Sequence, residues 1–284
     1  MNDKKLQALF GLKWNPFVAD VPPEALFTSP QVQHFVQRME HKLRDGGFAL
    51  LAGAPGLGKS TALHVLSDRL GAIRDVSVGV IYHPQSGVSD FYREMGDIFG
   101  VQLTPRNRWG GFRALREKWQ AHVHATLIRP VLLIDEVQQM ADAVLLELKT
   151  LASDRFDSRA LLTCVLCGDG DLLERLATPA LAALDSRLRP RLILDRASPG
   201  ELADFLRHVL AQAGAPRLMT PELINVLAEH AAGNYRVLCT LAADLLIAAA
   251  DRELKQIDEK LFLEITTVAE SVRAGRAGNK DRRR

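Results

Sequence analysis

The stretch "ALLAGAPGLGKSTALHVL", Ala49 to Leu66, decides the fold. Gly53, Gly58, Lys59 and Ser60 fit the pattern G-x-x-x-x-G-K-[ST]. In such a loop the backbone N–H groups cradle phosphates, the lysine reaches the β/γ oxygens and the hydroxyl holds Mg²⁺. The predicted cradle is Gly53, Ala54, Pro55, Gly56, Leu57, Gly58, Lys59, Ser60 and Thr61, with Ser60 as the metal-holding hydroxyl. The flanks agree with this reading. Phe48 to Ala52 reads as a buried strand, and Ala62, Leu63, Leu66 and Leu70 recur at helical spacing, so a helix N-terminus faces the anion. A tight glycine turn between strand and helix would not call for the lysine.

The same alternation continues along the chain. Apolar runs at 48–52, 76–82, 131–135, 161–167 and 191–194 alternate with helical patterns at 60–70, 89–99, 111–127, 142–152 and 171–176. Strands buried on both faces give continuous apolar runs, so the pattern predicts an α/β core: a parallel five-stranded sheet sandwiched by helices. From about Ser198 to Val272 the patterns are helical throughout, broken by turn signals at Gly214–Pro216 and Gly233–Asn234. The predicted organisation is an N-terminal extension (1–45), an α/β core (46–197), a small all-helical domain (198–272) and a basic tail (273–284). Within the extension, Ser29 reads as an N-cap with Pro30 at the first helical position. Phe10, Trp14 and Phe17 read either as core anchors or as an enclosure for a nucleotide base.

Composition sets the outer bounds. At 284 residues, 47% hydrophobic and 25% charged, the chain is ordinary globular material. Its apolar stretches fall short of the roughly 18 residues a membrane helix needs, and the N-terminus lacks a secretory pattern, so the expectation is a cytoplasmic protein without a membrane partner. Three cysteines are too few for a disulfide framework. Cys164 and Cys167 form C-x-x-C, but inside "LLTCVLCG", where a strand would point the two thiols to opposite faces as inert core groups. The eight histidines are scattered; His122 and His124 share no helix face and are not read as metal ligands. The tail from Arg273 to Arg284 carries six basic residues against one acidic, which suits either a solubilising end or a contact with nucleic acid.

The second chemical feature is "PVLLIDEVQQM". An apolar strand, Val131 to Ile134, delivers Asp135 and Glu136 at its carboxyl end, where ligands bind in open α/β sheets. Asp135 is placed to hold Mg²⁺ and Glu136 to orient or deprotonate an attacking water.

The phosphate loop, the strand ending in "DE" and a trailing helical domain with "GNYR" resemble an AAA+ ATPase. More narrowly, "FGLKWNPF", "LFTSPQVQHF" and "LLTCVLCGDGDLLERL" resemble the ExeA-like ATPases and the transposition regulators of the TnsC, TniB, MuB and IstB type. The resemblance implies a P-loop AAA+ core with a helical lid, ATP and Mg²⁺ as cofactors, and hydrolysis to ADP and phosphate. It also implies further site residues. Asp169 stands where these proteins place a polar sensor of the γ-phosphate; an acid is a departure, because an ionised carboxylate repels phosphate unless bonded to water or an arginine. "LDSRLRPRL" supplies Arg187 and Arg189 as candidates for the finger inserted into a neighbour's site, Arg187 being the better match. "AAGNYRVL" supplies Arg236 as the lid arginine that touches the γ-phosphate within the same subunit. A finger supplied in trans contributes about 10³–10⁵ in rate, so assembly would control hydrolysis.

One further stretch invites a nucleic-acid reading. In "TPRNRWGGFRALREKW", Arg106, Arg108, Arg113, Arg116 and Lys118 alternate with Trp109, Phe112 and Trp119. Basic groups with interleaved aromatics suit a phosphate backbone, and equally a helix with a buried aromatic face and solvated cations. The resulting expectation is an ATP-dependent ring or helical filament on duplex DNA that regulates DNA transposition by recruiting or activating a transposase. The alternatives are an ExeA-like secretion-associated module, disfavoured because no membrane helix or further domain follows residue 272, and an ATP-switched assembly module with little turnover.

Overall fold

The computed structural model describes residues 3–18, 21–82, 84–85, 87–102, 108–155 and 158–266. Two compact units emerge: Thr28–Asp195, and Met1–Phe27 together with Arg196–Arg284. Helix α1 (Asp3–Phe10) opens the chain and belongs to the helical unit. The α/β unit then runs α2 (Pro30–Lys42), β1 (Gly47–Gly53), α3 (Lys59–Gly71), β2 (Val78–Ile81), α4 (Val88–Phe99), α5 (Arg108–Thr126), β3 (Val131–Ile134) and α6 (Asp142–Ala152). A two-residue ladder of β4 (Ser153–Asp154) with β5 (Arg159–Ala160) follows, then β6 (Thr163–Gly168), α7 (Gly170–Leu176), α8 (Ala182–Asp185) and β7 (Leu188–Leu194).

Five strands form one sheet in the order β2-β3-β6-β1-β7, and every pairing is parallel. The apolar runs of the sequence arise because both faces are covered. Phe48, Leu50 and Ala52 of β1 enter one hydrophobic core with Leu132, Ile134, Cys164 and Leu166, while Ala49 and Leu51 enter the opposite core with Val131, Leu133, Val165 and Cys167. The first core is built by α4 to α8, with Phe91, Met95, Leu115, Trp119 and Leu148 among its members. The second is built by α2 and α3 through Phe35, Met39, Leu63 and Leu66. This period-two division also sends the two thiols of the C-x-x-C to opposite faces, both fully buried.

Strand β7 is longer than its apolar run. It begins at Leu188, and its alternating burial leaves Arg189 exposed. Its register with β1 is irregular between Phe48 and Leu50, next to Pro190, which has no N–H for the ladder; an edge strand tolerates that. The expected stretch 1–45 is divided between the units, because its two halves bury different faces. Leu6, Leu12 and Phe17 enter the helical core, whereas Val32, Phe35, Val36, Met39 and Leu43 enter the α/β core. Ser29 caps α2 by accepting from the Val32 N–H at 3.4 Å, with Pro30 at the first helical position.

The helical unit is completed by α9 (Pro199–Gln212), α10 (Pro221–His230) and α11 (Tyr235–Asp251), and residues 259–266 are also helical. Ser198 and Glu201 form a reciprocal capping box on α9, satisfying N–H groups that the helix start leaves orphaned. Phe10 and Trp14 pack against this core and Phe17 lies in it, so their aromatic surface serves packing within the unit.

The thiols carry a prediction. Burial pushes Cys164 and Cys167 well above the ordinary thiol range, and pushes Cys239 up to about 11. A raised pKa leaves the thiolate a minor form at pH 8 and lets it grow as pH rises. Labelling of the native protein by a disulfide reagent should therefore be confined to Cys239, its rate climbing about tenfold per pH unit between pH 7 and 9. Rapid native labelling of Cys164 or Cys167, followed by peptide mapping, would contradict the packing described.

Candidate active site

The phosphate loop leaves β1 at Gly53, where the strand lies against β7. A Cβ on Gly53 would sit 2.9 Å from the Leu194 carbonyl oxygen, so only glycine allows that approach. Gly56 and Gly58 adopt φ of 84° and 92°, a region that side chains disfavour, and this turns the chain back onto the start of α3. Gly58 is the N-cap and offers no side chain to the first turn, which leaves the N–H groups of Lys59, Ser60 and Thr61 directed outward without a capping side chain. Leu57 anchors the loop in the core beneath.

Lys59 is 8% exposed, yet among the described residues it pairs with no carboxylate. Its amine donates to the carbonyl oxygens of Gly53 at 2.8 Å and Ala54 at 3.2 Å. The ammonium is thereby held across the mouth of the loop, in a ring of backbone dipoles and beside the positive end of α3. That combination favours an anion of high charge. Ser60 is exposed at the same mouth.

Asp135 and Glu136 follow β3 directly. The Asp135 N–H donates to the Ile81 carbonyl at 3.0 Å, extending the β2–β3 pairing by one residue and fixing the acid at the sheet's carboxyl edge. One Asp135 oxygen accepts the Glu136 N–H at 2.9 Å. Glu136 stands at φ 52°, an uncommon backbone conformation for a carboxylic residue, which ends the strand and starts a short 3-10 turn at Val137–Gln139. Strand β6 separates β3 from β1, so the acids and the lysine loop lie two strand spacings apart, about 10 Å across the edge. This donor set fits Mg²⁺–ATP: one hydroxyl and one carboxylate for a hard cation that takes its other ligands from phosphate and water. No group of three or more His, Cys, Asp or Glu that could hold a metal occurs among the described residues.

The remaining expected residues fall into three places. Asp169 follows β6 and caps α7, its carboxylate accepting the Asp171 N–H at 3.0 Å; the acid at the sensor position is thus tied to a helix start. Arg187 and Arg189 lie at the opposite, amino edge. Leu188 pairs with Phe48 at the start of β1, while Leu194 pairs with Gly53 at its end. Six strand residues at ~3.3 Å each put about 20 Å between these arginines and their own phosphate loop, farther than an arginine side chain extends. Arg187 donates to the Ser153 hydroxyl at 3.1 Å, and exposed Arg189 donates to the Leu188 carbonyl at 2.7 Å. Arg236, in the helical unit, is exposed in the first turn of α11, where Asn234 caps the Arg236 and Val237 N–H groups. A cation there opposes the helix dipole, a local cost without structural return.

The candidate nucleic-acid stretch has a different explanation. Arg106 lies outside the described residues. Arg108 ion-pairs with Glu147, which also accepts from the Tyr92 hydroxyl at 2.6 Å. Burial pushes the Glu147 carboxyl up, but Arg108 and Tyr92 together hold it below the usual range. Arg116, only 18% exposed, pairs with Asp154 at 2.8 Å and donates to the carbonyls of Leu151 and Ser153. Lys118 donates to the Gly100 carbonyl at 3.2 Å at the end of α4, and Arg113 makes a surface i,i+4 pair with Glu117. Trp119 is in the core, and exposed Trp109 stacks on Phe112 at 5.4 Å. Arg108, Arg116 and Lys118 therefore fasten α5 to its neighbours. Two residues that the sequence pattern did not single out also belong to the site's surroundings: Gln138, whose side-chain amide donates to Glu136 Oε2 at 2.6 Å, and Arg175, which binds the carbonyls of Gln138 and Met140 at 2.6 and 2.7 Å. The signal was the polar pair directly after "DEV".

Comparison with known proteins agrees with this geometry. The family described as "AAA domain" matches residues 40–176. General secretion pathway protein A of Aeromonas hydrophila is 29% identical over 248 residues, covering 86% of this chain and 44% of that protein. The chain thus spans less than half the length of that curated relative. Among solved structures, Cdc6p from Pyrobaculum aerophilum superposes with a TM-score of 0.68 at 17% identity, over 85% of this chain and 67% of that one. A chain of Drosophila ORC bound to DNA gives 0.69 at 19%, over 93% and 66%. The fold is that of the P-loop AAA+ proteins. Residues 40–176 are thus similar to an AAA domain, in a chain that is also similar to a secretion-pathway protein.

Lys59→Ala removes the one cation inside the loop and should weaken ATP binding by at least about 100-fold. Because the amine bonds only to loop carbonyls, the variant should melt close to the wild type in the absence of nucleotide. Fluorescent-nucleotide titration with a parallel melt checks both; retained micromolar-scale ATP binding would contradict the assignment.

Proposed function

We propose that the chain works as an oligomerising, DNA-binding AAA+ regulator of DNA transposition in the cytoplasm, with ATP closing neighbouring subunits together. Lys59 and the loop N–H groups bind the triphosphate, and Ser60 and Asp135 hold Mg²⁺, which when bound neutralises phosphate charge. Glu136 takes the proton of the attacking water as the water oxygen bonds to the γ-phosphorus and the bond to the ADP oxygen breaks. Arg236 is the lid arginine of the same subunit. The observation that carries the assembly reading is the distance along β7: Arg187 and Arg189 stand too far from their own loop, so any contact they make with a triphosphate is made in a neighbour. Asp169 is proposed to act through water, its carboxylate being already engaged by the α7 start.

The DNA reading is supported by the fold shared with a chain of Drosophila ORC bound to DNA and by the basic segment 273–284. Transposition and a transposase partner rest on the resemblance of the N-terminal and "CGDGDL" segments. A second reading, a module of a secretion apparatus, is favoured by the general secretion pathway relative, and no described helix is long and apolar enough to cross a membrane by itself.

Electrophoretic shift with random duplex DNA separates the two. With a non-hydrolysable ATP analogue the protein should retain DNA without sequence preference, and retention should fall steeply between about 50 and 200 mM salt through counterion release. Absence of any retention at low salt, together with co-purification of a membrane complex, would transfer the assignment to the secretion reading.

A further inference from the structure

We propose that Gln138 is a positioning residue for hydrolysis: it holds the Glu136 carboxylate by one oxygen so that the other faces the attacking water. The inference rests on the reading of Glu136 as the general base and adds the group that aims it.

Three observations converge on this side chain. First, its Nε2 donates to Glu136 Oε2 at 2.6 Å, a short charge-assisted bond from a residue only two positions further on. The orientation of the amide is set by the acid, since turning it would press an amide oxygen against a carboxylate oxygen at the same distance. Secondly, the amide oxygen is buried and finds no hydrogen-bond partner. A buried acceptor without a partner is a cost that an apolar side chain of the same size would avoid, so packing does not explain a glutamine at this place. What the amide supplies is its donor, and the donor goes to Glu136. Thirdly, the surroundings are shaped around it. A Cβ on Gly168, at the end of β6, would meet Leu172 Cδ2 at 2.6 Å and the Gln138 oxygen at 2.8 Å, so a glycine there leaves room for both side chains. Arg175 of α7 binds the backbone carbonyls of Gln138 and Met140 and ion-pairs with Asp142, which fixes the 3-10 turn from which the glutamine projects.

The geometry matters because Glu136 is half-buried at a positive φ, on a turn that by itself leaves its side-chain rotamers open. A general base must keep its oxygen within hydrogen-bond reach of the water, and displacement by about 1 Å costs on the order of 100-fold in rate. One anchored oxygen and one available oxygen meets that requirement. Substrate binding does not involve Gln138: the triphosphate is gripped by Lys59 and the loop, across the sheet edge. Gln138 should therefore act on kcat and leave nucleotide affinity alone.

The test uses the full chain. Gln138→Met keeps the length and the packing and removes the donor; Gln138→Leu, which likewise removes the donor, serves if the first variant does not fold. Steady-state ATP hydrolysis should show kcat reduced about 10- to 100-fold, with KM and the affinity for a fluorescent ATP analogue within about twofold of wild type. In a Glu136→Gln background the same substitution should leave the residual rate unchanged, because there is no longer a base to aim. A kcat at or above wild type in Gln138→Met overturns the proposal, as does an equal loss with and without Glu136, which would mark a merely structural role. If Glu136→Gln itself hydrolyses ATP at the wild-type rate, the assignment of the base falls and this proposal with it. A normal kcat in Gln138→Met beside an inactive Glu136→Gln removes the positioning role alone.

Discussion

A sheet whose strands all run one way has two unlike edges, and the chemistry of this chain is divided between them. At the carboxyl edge β1 delivers the phosphate loop and β3 delivers Asp135 and Glu136. At the amino edge β7 begins at Leu188, with Arg187 just before it and Arg189 its second residue. The register of β7 with β1 makes the separation a matter of strand length. Side-chain rearrangement cannot close a gap of about 20 Å, whereas a second copy stacked edge to edge can. Any contact of these arginines with a bound triphosphate would therefore have to be made in a neighbouring subunit.

Within one unit the carboxyl edge is already arranged for a charged guest. Lys59 sits buried among carbonyl dipoles with no carboxylate partner among the described residues, and the first-turn N–H groups of α3 have no capping side chain. Both are costs to the protein alone that a triphosphate relieves, which is why binding at this place stabilises the folded state. The acids are better satisfied: Asp135 accepts a backbone N–H, and Glu136 accepts from Gln138. The cationic loop is poised to attract and the acids are poised to stay put.

Much of this was legible from residue order. Phe48 to Ala52, the glycines and Lys59 combine strand pattern, loop chemistry and helix spacing within one window, and the strand ending in Asp135 and Glu136 does the same. What could not be read is pairing across distance. The cations of α5 alternate with aromatics in a way that suits a phosphate backbone or a packed helix equally, and the choice is made by Glu147 and Asp154, far along the chain. Phe10, Trp14 and Phe17 were similarly undecided until their shared core with α9 to α11 appeared. The start of β7 was hidden because edge strands tolerate polar residues and proline, so Arg189, Pro190 and Arg191 interrupt the apolar run without ending the strand. Gln138 was passed over because an amide beside two acids looks like any solvated strand end; its meaning lies in one hydrogen bond and one orphaned oxygen.

The central claim is that a triphosphate held by one subunit is completed by an arginine of the next. Complementation between two inactive forms tests it most directly. Lys59→Ala subunits cannot hold nucleotide but keep their arginines, while subunits carrying Arg187→Ala and Arg189→Ala hold nucleotide and lack the finger. Each form alone should be nearly inactive, and mixing them should restore ATP turnover, because the first lends its arginines to the second. A mixture no faster than the sum of its parts, or full turnover by the double arginine variant on its own, would contradict the account.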